Sequence, residues 1–136
     1  MITILIDTMH VADILIDDSY FELARAIQNE KMTGLASVIT LTELIKIRGM
    51  KDKEKMYSDL DRLITSNLVF MDVDSTIAMR AGELRLKYDI PTADSLIVAT
   101  GIVENVKHIL TDDEHFKPLK NIIKPIDLKT ALKLVK

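Results

Sequence analysis

The chain has 136 residues and a mass of 15.4 kDa, within the size of one domain, so residues 1–136 are expected to form a single unit. Its composition, 48% hydrophobic and 29% charged, excludes a disordered polymer, and a net charge of −3 argues against gripping nucleic acid by overall basic charge. With no cysteine there is no disulfide, no thiolate metal site and no cysteine nucleophile, which suits a reducing compartment and a cytoplasmic location.

In chain order, short β-rich runs alternate with helical patterns, the signature of a parallel sheet covered by helices. The first strand, Ile2–Ile6, is almost continuously apolar, as a strand covered on both faces should be; it is far too short to span a bilayer, and no membrane association is expected. Helical spacing follows over His10–Ile16 and Ser19–Glu30, then a second strand over Leu35–Ile39 and a helix over Thr40–Arg48 stopped by Gly49. Lys51–Thr65 is amphipathic, Leu68–Val73 is the third strand, and Ser75–Tyr88 is helical. After Pro91, Thr92–Val103 is apolar nearly all round and should be a buried helix. Strands over Lys107–Leu110 and Ile122–Lys124 and a helix over Leu128–Val135 complete the chain. The fold class expected is α/β: a three-layer α/β/α sandwich with a five-stranded, mainly parallel sheet.

Open sheets of this kind hold ligands at the carboxyl ends of their strands. Asp7 directly follows strand one, Glu43 lies at the start of the helix leaving strand two, and Asp112 and Asp113 follow strand four. Asp94 opens the helix that feeds strand four through a short loop, so it too belongs at the carboxyl edge. Each acid has a plainer role available. Asp7 suits a helix N-cap, and Thr40-Leu-Thr-Glu43 suits a capping box in which Glu43 reaches back to the Thr40 backbone. Asp94, two residues after a candidate cap at Thr92, suits the helix dipole, and Asp112 and Asp113 suit a turn. Caps need only lie somewhere on the rim, whereas a metal site needs its carboxylates to meet. Carboxylates gathered within a few ångströms repel one another, and a hard divalent ion with oxygen ligands removes that conflict.

These segments resemble a known family. Ile6-Asp7-Thr8, Thr40-Leu-Thr-Glu43, Thr92-Ala93-Asp94-Ser95-Leu96-Ile97-Val98-Ala99 and Leu110-Thr111-Asp112-Asp113-Glu114-His115-Phe116 are similar to the acidic motifs of PIN domains, in the same order and across the whole chain. The single-domain format resembles the VapC toxins of VapBC toxin–antitoxin pairs. The resemblance implies a strand order of 3-2-1-4-5 and a magnesium- or manganese-dependent endoribonuclease. It also implies a homodimer and a small antitoxin protein that blocks the site. It assigns Asp7, Glu43, Asp94 and Asp113 as metal ligands or catalytic acids, with Thr8 and Thr111 as supporting hydroxyls. Asp112 is the alternative fourth acid. Met9 departs from the Ser or Asn often found there.

Other residues carry weaker signals. His10 and His115 are expected near the rim, where they could touch substrate, with ordinary surface histidines the plainer reading. Lys46, Arg48, Lys51 and Lys53 suit a solvated helix face, or a guide for RNA phosphates. The seven methionines suit core filling, some at a dimer face, and Tyr57 suits a boundary position beside the core, with base stacking the alternative. The competing function is a catalytically silent PIN-like or receiver-like binding module. A receiver expects acids after strand three, where Asp72-Val73-Asp74 fits poorly, and a haloacid-dehalogenase phosphatase expects Asp-x-Asp, which Asp7-Thr8-Met9 does not supply.

Overall fold

A computed structural model describes residues 1–135. Five strands, β1 (Ile2–Ile6), β2 (Met32–Ser37), β3 (Val69–Met71), β4 (His108–Leu110) and β5 (Lys124–Ile126), form one sheet in the order β3-β2-β1-β4-β5. All four pairings are parallel. The helices are α1 (Thr8–Ile16), α2 (Phe21–Gln28), α3 (Val38–Gly49), α4 (Lys53–Ile64), α5 (Ser75–Lys87), α6 (Thr92–Val103) and α7 (Leu128–Leu134). No helix among the described residues is long and apolar enough to cross a membrane.

The alternation of side chains along β1 divides the core. Ile4 and Ile6 point into one layer with Val11, Leu23, Ile27, Leu63 and Ala131. Leu5 points into the other with Ile77, Leu84, Ile97, Val98 and Phe116. All three β1 residues are fully buried, which explains why the strand reads as continuously apolar. From β1 the chain winds outward through β2 and β3, then returns to add β4 and β5 on the opposite side. The order reverses between β1 and β4, so the two strand ends diverge into the crevice where open sheets bind ligands.

Several boundaries move. The second strand ends at Ser37 rather than running to Ile39, because the Ser37 hydroxyl accepts from the Ile39 N–H at 3.1 Å and starts α3 at Val38. The β-branched pair Val38-Ile39 reads as strand, and the cap overrides it. The fifth strand lies at Lys124–Ile126, two residues later than expected, with Pro125 accommodated because β5 is an edge. The helical stretch expected over Ser19–Glu30 divides into a 3-10 turn at Asp18–Tyr20 and α2. Helices α2 and α6 end in the same way, at Glu30 and Asn105 with φ of 58° and 59°. Lys31 N–H returns to Ala26 O and Val106 N–H to Gly101 O, closing Schellman turns.

Helix α6 keeps its expected bounds, and its depth depends on Gly101. A Cβ there would stand 2.8 Å from Leu5 Cδ2 and 3.1 Å from Ile123 Cδ1, so the missing side chain lets α6 lie close on β1. Gly82, exposed on α5, has nothing within 4 Å of such a Cβ. Gly101→Ala should therefore destabilise the fold by about 1–3 kcal/mol through overpacking. Gly82→Ala should stabilise it by roughly 0.5–1 kcal/mol through helix propensity alone. Urea denaturation of both variants measures the pair.

Candidate metal-dependent active site

Asp7 stands where β1 turns into α1. Its backbone N–H still donates to Leu110 O on β4, which holds it in the β1–β4 crevice. Its side chain caps α1, with Oδ1 accepting from the Thr8 N–H at 2.8 Å. Oδ2 accepts from the Thr111 hydroxyl, also at 2.8 Å, and the residue is 9% exposed. The capping role proposed for Asp7 is therefore real and leaves the carboxylate facing the rim residues that follow β4.

Thr111 links two acids. While its hydroxyl donates to Asp7, its oxygen accepts from the Asp113 N–H at 3.0 Å. Asp113 in turn caps a 3-10 segment, Glu114–Leu119, by accepting from the His115 N–H at 2.9 Å. The fully buried Phe116 anchors that segment in the core. Asp94 arrives from the opposite direction, in the first turn of α6. Pro91, not Thr92, occupies the N-cap position and offers no side-chain bond, so the expected Thr92 cap is replaced; Ser95 Oγ instead donates to Thr92 O at 2.6 Å. His115 Nδ1 lies 2.9 Å from Asp94 Oδ2 and 3.0 Å from Asp113 Oδ1. Asp94, Asp113 and His115 thus present ligand atoms all within 4.8 Å of one another.

Glu43 joins differently. Its Oε1 accepts from the Thr8 hydroxyl at 2.6 Å, and Thr8 Oγ1 also lies 3.0 Å from Thr40 Oγ1. The capping box expected between Glu43 and the Thr40 backbone does not form, because α3 starts at Val38 and Glu43 falls in its second turn. Glu43 is tied instead to the residue after Asp7, on the edge of the cluster. The Thr8 hydroxyl bonds Glu43, and the Thr111 hydroxyl bonds Asp7 and the Asp113 backbone.

Asp112 turns away from this group. Its Oδ2 lies 3.1 Å from His10 Nε2, and its side chain is 80% exposed. His10, expected as a surface histidine, is 3% exposed, with Nδ1 2.7 Å from the Tyr20 hydroxyl. Burial, with the nearby Asp13 carboxylate, pushes the Tyr20 hydroxyl up to about 12, so it remains a donor. A Tyr20 O–H donating to Nδ1 leaves the Nε2–H for Asp112, and this chain pairs Asp112 with His10. Helical spacing could not show this, since it depends on how α1 packs beside the 3-10 turn. Replacing the ring removes the partner of a buried hydroxyl. His10→Val should destabilise the fold by about 1–3 kcal/mol, whereas Asp112→Asn should leave the denaturation midpoint within error. Paired chemical melts check both.

Three weaker expectations are also corrected. In the basic cluster, Arg48 is bound to the buried Asp59 through Nε and Nη2, both at 3.1 Å, and clasps α3 to α4. Only Lys46, Lys51 and Lys53 remain as a solvated face. Tyr57 is exposed rather than at the core boundary. Of the methionines, Met32 and Met56 fill the core, whereas Met1, Met9, Met50 and Met79 are exposed.

The electrostatics fit a cation. Burial raises the Asp7 carboxyl above its ordinary value, and the Asp113 charge adds to the effect while the Thr111 and Thr8 bonds oppose it. Asp94 is raised by burial first and then by Asp113, with the His115 bond opposing. His115 is raised by its bond to Asp94 and by the Asp113 charge. For a carboxyl raised on folding, the protonated form is the one the fold favours. Its stabilisation is complete below the ordinary value of 3.8 and is lost as pH rises through the raised value. Burial and mutual repulsion of the ionised acids are thus a cost at neutral pH that an oxygen-coordinated divalent ion would offset. In EDTA, Asp94→Asn should melt above the wild type at pH 7, the gap closing as the pH approaches 3.8. Added manganese should raise the wild-type midpoint and leave the variant's unchanged. Thermal melts across pH, with and without the ion, measure this.

The sequence matches the PIN domain over residues 4–121, and the chain belongs to that family. No curated protein matches it. Among solved structures it is similar to VapBC2 from Rickettsia felis bound to a DNA fragment from its promoter, with 25% identity and a TM-score of 0.73; the match covers 93% of this chain and 98% of that one. DNA-bound VapBC from Salmonella typhimurium (19% identity, TM-score 0.71) and VapBC-1 from nontypeable Haemophilus influenzae (20%, 0.70) share the fold over the same fractions, 93% and 98%. The expected sheet order is the one observed in this chain, and its α/β fold matches these structures.

Proposed function

We propose that this chain is a divalent-metal-dependent endoribonuclease, acting as the toxin member of a VapBC-type pair. The observation that carries the proposal is the close approach of Asp94 and Asp113, with Asp7 tied to the Asp113 backbone through Thr111 and near enough for its charge to act on Asp94, at the β1–β4 crevice of a PIN fold. Asp7, Asp94 and Asp113 would hold magnesium or manganese, with Glu43 at the edge of the set as a ligand or an orienting group. When bound, such an ion acidifies a coordinated water and neutralises charge developing on a scissile phosphate.

The protein's own contribution is positioning. Thr111 fixes the plane of the Asp7 carboxylate and the backbone of Asp113 with one hydroxyl, and Thr8 fixes Glu43. Because Asp7 is nearly buried, its charge is poorly screened and acts strongly on whatever occupies the crevice. No side-chain nucleophile is required in this scheme, and Ser37 and Ser95 are both fully buried and engaged in local hydrogen bonds.

The remaining parts of the reading concern partners. Exposed apolar side chains at Met9, Phe21, Ile45, Met50 and Leu86 suit protein contacts, and we assign them to a homodimer and to a small antitoxin. The whole chain then acts as one domain in the cytoplasm. A short neighbouring reading frame whose product co-purifies with the chain and suppresses cleavage would support the toxin assignment.

Purified protein should cleave RNA with added magnesium or manganese and stop in EDTA. Asp94→Asn and Asp113→Asn should each lose at least about 10²-fold in rate, while Asp112→Asn stays near wild type. Gel-based cleavage of a labelled RNA measures this. No cleavage with either ion, or an unchanged rate in Asp94→Asn, would overturn the nuclease reading in favour of a binding module.

A further inference from the structure

The four acids supply only oxygen, and such a set does little to separate magnesium from manganese. His115 adds a nitrogen. Resting on the nuclease reading above, we propose that His115 is a direct ligand of the catalytic ion and gives the site a preference for manganese over magnesium.

Three features of the structure support this role. The Nδ1 atom lies between carboxylates from two different elements, 2.9 Å from Asp94 Oδ2 on α6 and 3.0 Å from Asp113 Oδ1 after β4. Neighbouring ligands about 2.1 Å from one octahedral ion stand roughly 3 Å apart, so these separations need little adjustment to share a cation. The Nδ1 proton faces Asp94 Oδ2 while Asp113 Oδ1 keeps the backbone N–H of His115, so a cation at Nδ1 would displace only the ring proton, which leaves to water.

The ring is also placed by the chain. The His115 N–H donates to Asp113 Oδ1 at 2.9 Å, and the adjacent Phe116 is fully buried. This local geometry sets the imidazole over the acids although the residue itself is exposed. Its exposure leaves room for the small rotation that ligation requires. Magnesium strongly prefers oxygen, whereas imidazole suits the first-row transition metals, so one nitrogen shifts selectivity toward manganese.

The test uses the intact chain loaded with Mn²⁺ and examined by electron spin echo envelope modulation. Modulation from one directly bound ¹⁴N is expected in the wild type, lost in His115→Gln and retained in His108→Gln. Calorimetric titration should show His115→Gln weakening Mn²⁺ by at least about tenfold while Mg²⁺ changes less than about twofold. Mn²⁺ binding without nitrogen modulation, or equal weakening of both ions, overturns the proposal and leaves the nuclease reading intact. If the wild type binds neither ion, both fall together.

Discussion

A carboxylate withdrawn from water costs several kcal/mol unless hydrogen bonds or a cation answer it, and Asp7 is such a group. The chain answers it with two donors from opposite sides: the N–H of Thr8 at the start of α1 and the hydroxyl of Thr111 after β4. Those bonds are possible only because β1 and β4 are parallel neighbours, with Ile6 aligned on Leu110 and Asp7 N–H reaching Leu110 O. The central pairing of the sheet and the geometry of the candidate site are therefore one constraint. A slip between β1 and β4 would misplace Thr111 and with it both Asp7 and Asp113.

The second approach to the crevice is made by α6. A helix carrying Asp94 must descend close to β1, and Gly101 permits that approach where any side chain would strike Leu5. Buried Ser95 and Thr100 satisfy their hydroxyls on their own helix, at Thr92 O and Leu96 O, so the close packing leaves neither unpaired. The acidic end of α6 is consequently held by apolar packing about two turns away. Around it burial, reinforced by the neighbouring Asp113 charge, raises the proton affinity of Asp7 and Asp94. Ionised acids cost stability at this rim, and a bound cation would restore it.

A polar chain running into the core gives the two adjacent acids different neighbours. Asp112 and Asp113 are indistinguishable as residue types, yet one faces His10 and the other faces Asp94. His10 lies inside the fold because Tyr20 covers it and supplies a hydroxyl to its Nδ1. The Thr111 hydroxyl then holds the Asp113 backbone in place.

Much of this was legible in order along the chain. The uninterrupted apolar run of β1, the strand–helix alternation and the full span of α6 follow from periodicity and burial, which are local properties. The positions of Asp7, Glu43, Asp94 and Asp113 at a carboxyl edge followed from topology alone, since parallel strands all end at one rim. Tertiary structure decided the rest. It determined that Ser37 rather than Thr40 starts α3, that Glu43 is bound by Thr8, and that His10 is buried. It also joined His115 to Asp94 across 21 positions and Thr111 to Asp7 across 104. Those contacts depend on how non-adjacent elements pack, and no spacing along the chain encodes them. The acids could be named from the sequence by themselves, but which of them meet, and what orients them, is fixed where β1, β4 and α6 come together.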